Sequence, residues 1–149
     1  MVHVAALAKN QMTPAIPQPE PGLTPAELKI TPNHHYNGKF LEPVPPQHPS
    51  FKSLLRLVDT GRCWVKLSAA YEVSKSGPPR YEDVGILAKA LVKAAPQRML
   101  WASNWPHPTA PKDAFPDDAN LLDLLLEWAP DEAVRRRILV DNPAELYGF

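Results

Sequence analysis

Only one cysteine, Cys63, occurs in the 149 residues. That excludes an intramolecular disulfide framework and fits a reducing compartment. Net charge is absent as well: 16 basic side chains balance 16 acidic ones. There is therefore no broad electrostatic case for nucleic acid or an anionic membrane as partner. No apolar run approaches the roughly 20 residues needed to cross a bilayer. The first nine residues are mildly apolar but lack the basic n-region and long h-region of a signal peptide. The expectation is a soluble, cytoplasmic protein that binds neither nucleic acid nor membrane, with length for one ordinary domain.

Proline is what the chain has in excess, 19 residues against a usual share of about 5%. The excess is uneven. Pro14, Pro17, Pro19, Pro21 and Pro25, then Pro43, Pro45 and Pro46, break every helix that residues 1–47 might form. A single helical turn after Thr24-Pro25, through Leu28, is the exception. Asn37-Gly38 is a turn signal. Residues 1–47 are therefore expected to be a Pro-rich, irregular segment, largely disordered or extended and polyproline-like in places. Pro14-x-x-Pro17 has the spacing of an SH3-type ligand, but its only nearby basic residue is Lys9. His34-His35 points its two rings different ways on an extended chain and has no third ligand at a recognisable spacing, so it is not read as a metal site.

Regular pattern begins at residue 48. Phe51, Leu54, Leu55 and Val58 fall on one helix face, with Pro49 in the first turn and Gly61 past the end. Cys63–Ser68 is rich in β-formers and reads as a strand. Lys66 is its odd member, needing a carboxylate or a wet rim because a buried lone ammonium is costly. Residues 69–80 are a loop of Ser, Gly and Pro. In a parallel α/β order this loop lies at the carboxyl end of its strand, where Tyr71, Glu72, Ser74 and Arg80 could touch a ligand. Residues 81–95 form the clearest helix, with Glu82 and Asp83 in its first turn and Pro96 after its end.

Met99–Ala102 is a short apolar run that stops at Ser103, Asn104, Trp105 and His107, with Pro106 and Pro108 forbidding a helix. It reads as a buried strand ending at a rim, the place where parallel α/β folds display functional groups. A loop to Pro116 follows. Asp117 and Asp118 then open a helix through Trp128 that is apolar over more than half its circumference and so needs more than one neighbour. Pro130-Asp131 opens another helix. Its Arg135, Arg136 and Arg137 fan over about 200° and do not make one basic face. Asn142-Pro143-Ala144-Glu145 has the form of a cap, a first-turn proline and a capping-box glutamate. The order is thus a βαβα unit with flanking helices, its two strands parallel. Two parallel strands cannot bury both faces, so such a sheet calls for further strands.

Five stretches, His48-Pro49, Trp64-Val-Lys-Leu-Ser68, Gly77-Pro-Pro79, Arg98 through His107, and Asp141-Asn-Pro-Ala-Glu-Leu-Tyr-Gly148, occur in this order over about two thirds of the chain. Together they resemble the C-terminal part of the amidohydrolase-related ("amidohydrolase 2") hydrolases, in the branch of 2-pyrone-4,6-dicarboxylate lactonase. The resemblance implies an α/β fold, the C-terminal part of a (β/α)8 TIM barrel, incomplete, over residues 48–149. A complete barrel needs about 200 residues or more, so a truncated chain is the expectation. The implied activity is hydrolysis of a lactone on a small carboxylated substrate. The alternative is a non-catalytic remnant, or a half-barrel that associates with itself or another chain through its open sheet edge.

In the family the last strand usually ends Ser/Thr-Asp-Trp/Phe-Pro, and its aspartate binds metal or deprotonates the attacking water. The matching residue here is Asn104, which can hold a water but has no basic lone pair at neutral pH. The resemblance assigns Asn104 the catalytic position, and His107, Tyr71, Arg80 and Lys66 are the candidates for holding substrate, Arg suiting carboxylates. It also implies a divalent metal such as zinc in complete members. The His-x-His that would hold it has no counterpart here: His3 stands alone and His34-His35 has the wrong spacing. No metal ligand is assigned.

Overall fold

The computed structural model describes residues 2–7, 28–30, 35–38, 42–61 and 63–149. The two strands expected after residue 48 are present and parallel. β4 (Trp64–Leu67) and β5 (Met99–Trp101) pair with Val65 opposite Met99 and Leu67 opposite Trp101. They belong to a larger sheet. Three further strands, β1 (Val2–Leu7), β2 (Leu28–Ile30) and β3 (His35–Gly38), come from the Pro-rich segment. The sheet order is β2-β3-β1-β4-β5, with β1 antiparallel to both β3 and β4. The strands that the parallel pair required are thus supplied partly by antiparallel neighbours. Asn37-Gly38, expected to turn, instead lies in β3 opposite β1. Leu28, expected to end a helical turn, opens β2. Thr24, Pro25, the Pro14–Pro17 stretch and His34 lie outside the described residues.

Helices cover one face of β4 and β5. α1 (Pro49–Asp59) starts where His48 Nδ1 accepts from the Ser50 amide at 3.2 Å, and Pro49 occupies the first turn. It ends at Thr60, and Gly61 follows at φ +72°, a left-handed position that suits glycine. α2 (Glu82–Ala94) joins β4 to β5. α3 (Asp118–Trp128) is capped by Asp117, whose carboxylate accepts from Ala119 N at 2.8 Å. Val65, Leu67 and Met99 pack against Val58, Leu91 and Leu125 in one apolar core. A Cβ at Gly85 would meet the Trp128 indole nitrogen at 3.2 Å, so the missing side chain lets α2 and α3 approach.

α3 differs from expectation on its outer side. Leu121, Leu124, Leu125 and Trp128 are buried, but Leu122 and Leu126 face outward, 39% and 54% exposed. Of its wide apolar surface only one side is buried among the described residues. The remainder, α4 (Glu132–Arg136), a π-helical turn (Arg137–Asp141) and α5 (Asn142–Tyr147), runs as one helical stretch. Asn142 is not the cap its sequence context suggests. Asp141 and Asn142 both have helical dihedrals, and the buried Asn142 amide donates to Pro96 O at 2.8 Å and Met99 O at 2.7 Å. That ties the end of the chain to the start of β5. Pro143, which has no N–H, follows the π-turn, where the regular ladder is already interrupted. No helix of the described residues is long and apolar enough to cross a membrane.

Candidate active site

The loops that follow β4 and β5 meet at the carboxyl ends of the two strands. Backbone geometry sets them apart. Among the described residues, every non-glycine residue with positive φ lies in one of them: Ala69 and Tyr81 in the first, Asn104 and His107 in the second. Such conformations cost about 1–3 kcal/mol each and persist where surrounding contacts over-determine them. For Asn104 and His107 those contacts are visible. The Asn104 amide donates to the Tyr71 hydroxyl at 2.8 Å and to Glu72 Oε1 at 3.1 Å. His107 is 5% exposed, with Nδ1 3.1 Å from the Tyr71 hydroxyl and Nε2 3.1 Å from Asp118 Oδ1. The Tyr71 ring meets the imidazole edge-on, and Phe115 tilts against its other side.

Each group is placed by a local device. Ala69, left-handed at φ +53°, turns the chain out of β4 into the 3₁₀ turn Ala70–Glu72, which carries Tyr71 and Glu72. His107 N donates to Asn104 O at 2.8 Å, closing the turn that brings the imidazole inward. Of the two adjacent aspartates, Asp117 caps α3 and Asp118 faces His107. Farther out, Asp83 in the first turn of α2 gathers the rest of the first loop. Its carboxylate accepts from the Ser74 and Ser76 hydroxyls at 2.6 and 2.8 Å, and from the Lys75 and Ser76 amides at 2.6 and 3.2 Å. Burial pushes its pKa up, but these donors outweigh that and hold the carboxyl well below the usual range.

The electrostatics follow from burial and donor count. Burial raises the Tyr71 pKa; the hydrogen bond from Asn104 works against it and the Glu72 and Asp118 carboxylates add to it. The Cys63 thiol lies outside the site, wholly buried, and burial pushes its pKa up to about 12.

Four of the sequence candidates therefore come together: Asn104, Tyr71, Glu72 and His107. Arg80 does not join them. Its guanidinium pairs with Glu127 at 3.1 Å and Glu82 at 3.8 Å, so the carboxylates it meets are the protein's own. Lys66 sits half-buried in β4, where strand alternation turns it away from the helix-packed Val65 and Leu67. No ion pair or hydrogen bond of its side chain is found among the described residues. Asp118 was not among the sequence candidates. Its signal was the Asp117-Asp118 pair itself, since a helix needs only one cap.

The cluster does not fit a metal ion. Both imidazole nitrogens of His107 are engaged, and the Asn104 amide presents its nitrogen rather than its oxygen to Tyr71 and Glu72. No group of three His, Cys, Asp or Glu side chains able to hold a metal exists among the described residues. What remains is a chain of hydrogen bonds suited to moving or holding a proton.

Residues 31–149 match the amidohydrolase family (Amidohydro_2), and the chain belongs to it. The described part is an α/β fragment of a family whose fold is a TIM barrel. Within that family the likeness is to lactone enzymes. The chain is 41% identical over 116 residues to D-galactarolactone isomerase of Agrobacterium fabrum, covering 77% of this chain and 39% of that protein. It is 38% identical over 91 residues to 2-pyrone-4,6-dicarboxylate hydrolase of Comamonas testosteroni, covering 56% and 30%. The apo crystal structure of an Agrobacterium tumefaciens protein superposes with a TM-score of 0.68 at 40% identity, over 75% of this chain and 39% of that one. The chain thus spans between 30% and 39% of the length of these relatives.

Proposed function

We propose that this chain carries the wall of a lactone-opening site, acting on a small carboxylated cyclic ester. In this reading β4, α2, β5 and α3 correspond to the last two strand–helix units of a (β/α)8 barrel. The observation that carries it is the Tyr71–Asn104–His107–Asp118 cluster, built at the carboxyl ends of two parallel strands. Barrel enzymes place their chemistry at that end. The resemblance and the named relatives, a lactone isomerase and a lactone hydrolase, supply the substrate class.

Two outcomes are open to such a site. Hydrolysis needs a base for water, which Asn104 does not itself offer. Isomerisation uses a hydroxyl of the substrate itself and needs no water to be activated from that position. The test is incubation of the purified protein with a panel of five- and six-membered sugar-acid and pyrone lactones. Acid release by indicator dye reports hydrolysis, and carbon NMR reports a change of ring size without acid. Asn104→Asp is expected to raise hydrolysis relative to isomerisation. A folded protein silent in both assays, in both forms, defeats the reading.

A partner-dependent or non-catalytic half-barrel is the second reading. It is favoured by the outward-facing Leu122 and Leu126 of α3 and the exposed Ile86 of α2. Self-association in size-exclusion chromatography with light scattering supports it, and a monodisperse monomer speaks against it. In both readings the protein is placed in the cytoplasm, with neither nucleic acid nor membrane as partner.

A further inference from the structure

We infer that Tyr71 is the acid–base group of this site, backed by a hydrogen-bonded relay through His107, which Asp118 holds. The inference rests on the lactone-opening reading and adds to it the residue that handles the proton.

Two carboxylates, which only accept, set the sense of the hydrogen bonds: Glu72 orients the Asn104 amide, and Asp118 places the proton of a neutral imidazole on Nε2, leaving Nδ1 to accept. Glu72 fixes the Asn104 amide with its nitrogen inward, and the same nitrogen donates to the Tyr71 oxygen. The Tyr71 hydroxyl is then free to donate to His107 Nδ1, 3.1 Å away. With Nδ1 accepting, the imidazole proton sits on Nε2 and is donated to Asp118 Oδ1 at 3.1 Å. His107 is 5% exposed, whereas the Asp118 side chain is 47% exposed. The relay therefore runs from a half-buried phenol, through a buried imidazole, to a carboxylate at the solvent boundary. Thr109, exposed on the second loop, lies near enough to the phenol to work against the rise in its pKa. A hydroxyl in that position is what a water or a substrate alcohol presents.

The relay supplies what Asn104 cannot. A nucleophile hydroxyl adds to the lactone carbonyl carbon, forming the new C–O bond and moving the carbonyl π pair onto oxygen. Its proton passes to the Tyr71 oxygen while the Tyr71 proton passes to His107 Nδ1. The imidazolium is held by Asp118. On collapse the carbonyl re-forms and the ring C–O bond breaks, its electron pair leaving on the ring oxygen. That oxygen takes the Tyr71 proton, and Tyr71 recovers one from Nδ1. His107 ends neutral as it began, and no metal or co-reactant enters. The same two transfers serve water in hydrolysis and a substrate hydroxyl in isomerisation. Tyr71 touches the reacting oxygen and is the catalytic residue; His107 and Asp118 are positioning residues behind it. Glu72, Asp118 and His107 are the ionisable groups facing Tyr71.

The test takes the lactone that the wild type turns over best. Tyr71→Phe is expected to lower kcat about 10²–10⁴-fold, the range of general acid–base catalysis, with KM within about threefold of wild type. Asp118→Asn is expected to lower kcat about tenfold and to move the acid limb of the kcat profile, a change that a merely structural role would not produce. Long-range ¹H–¹⁵N NMR of the full chain reads the relay independently of turnover. The expected His107 tautomer is Nε2–H with Nδ1 unprotonated, losing that preference in Asp118→Asn. Full kcat in Tyr71→Phe overturns the relay and leaves the lactone reading standing. A wild type that opens no lactone defeats the lactone reading, and the tautomer then decides the relay: Nε2–H keeps it as a proton path, and Nδ1–H removes it.

Discussion

The two loops at the site are held by different means. The first, between β4 and α2, is gathered by one charge: Asp83 accepts from two hydroxyls and two amides of residues 74–76. The second, between β5 and α3, has no such hub. It is held by left-handed backbone at Asn104 and His107, and by a buried imidazole whose two nitrogens bind different elements. A loop gathered by a carboxylate answers to pH. A loop locked by packing and fixed hydrogen bonds answers to the shape of its buried groups. The first loop delivers Tyr71 and Glu72, and the second delivers the groups that orient them.

The sharpest way to break this contrast is below the second loop. Asn142→Ala leaves the buried Met99 O and the part-buried Pro96 O without their donor. At about 1–3 kcal/mol per stranded group, urea denaturation should show a loss of about 2–4 kcal/mol with an unchanged m-value. His107→Ala comes next, at about 2–3 kcal/mol by the same measurement, since a cavity opens and Tyr71 loses a partner. Asn104→Asp should cost about 1–2 kcal/mol at neutral pH, because it sets a second carboxylate against Glu72, 3.1 Å from the present amide nitrogen. Repulsion between the two carboxylates makes the penalty grow as pH rises above about 4, where carboxylates ionise in the unfolded chain; chemical denaturation at a series of pH values follows it.

The charge-held loop gives a smaller effect of opposite sign. The Asp83 carboxyl is depressed in the folded protein, so its stabilisation is complete above the unfolded value of about 3.9 and is lost as pH falls through the folded one. Asp83→Asn should flatten the acid limb of the stability curve below about pH 4 and speed proteolytic nicking near Lys75 and Arg80, while the second loop keeps its hydrogen-exchange protection. Smallest is Cys63. With its thiol raised to about 12, the folded protein should leave a thiol reagent unreacted at pH 8 and consume it only in denaturant.

Much of this contrast was legible from residue patterns, and the rest was hidden for identifiable reasons. α1, α2 and α3 declare themselves through stripes and caps, and Asp117, Pro49 and Gly61 act as their positions suggest. β4 and β5 are visible because a short apolar run between breakers has few other uses. β1 to β3 were not, because Pro-rich surroundings drown short strands whose partners lie far along the chain. Position and likeness single out Asn104, Tyr71 and His107, and the three meet. Chemistry alone points to Arg80, and local carboxylates hold it elsewhere. Asp118 and Asn142 were hidden by having plausible ordinary jobs, helix start and helix cap. Only the turn at His107 and the approach of β5 reveal what they bind.

The placing of β1 bears on how quickly the chain assembles. Val4 meets Val65 across roughly sixty residues, whereas α2 links β4 to its parallel partner over about half that distance. Closing the longer loop costs chain entropy before any contact rewards it. The helix-backed pair should therefore collapse first, with the amino-terminal strand zipping on afterwards. During that interval one flank of β4 presents unpaired backbone to any other strand that happens to be nearby.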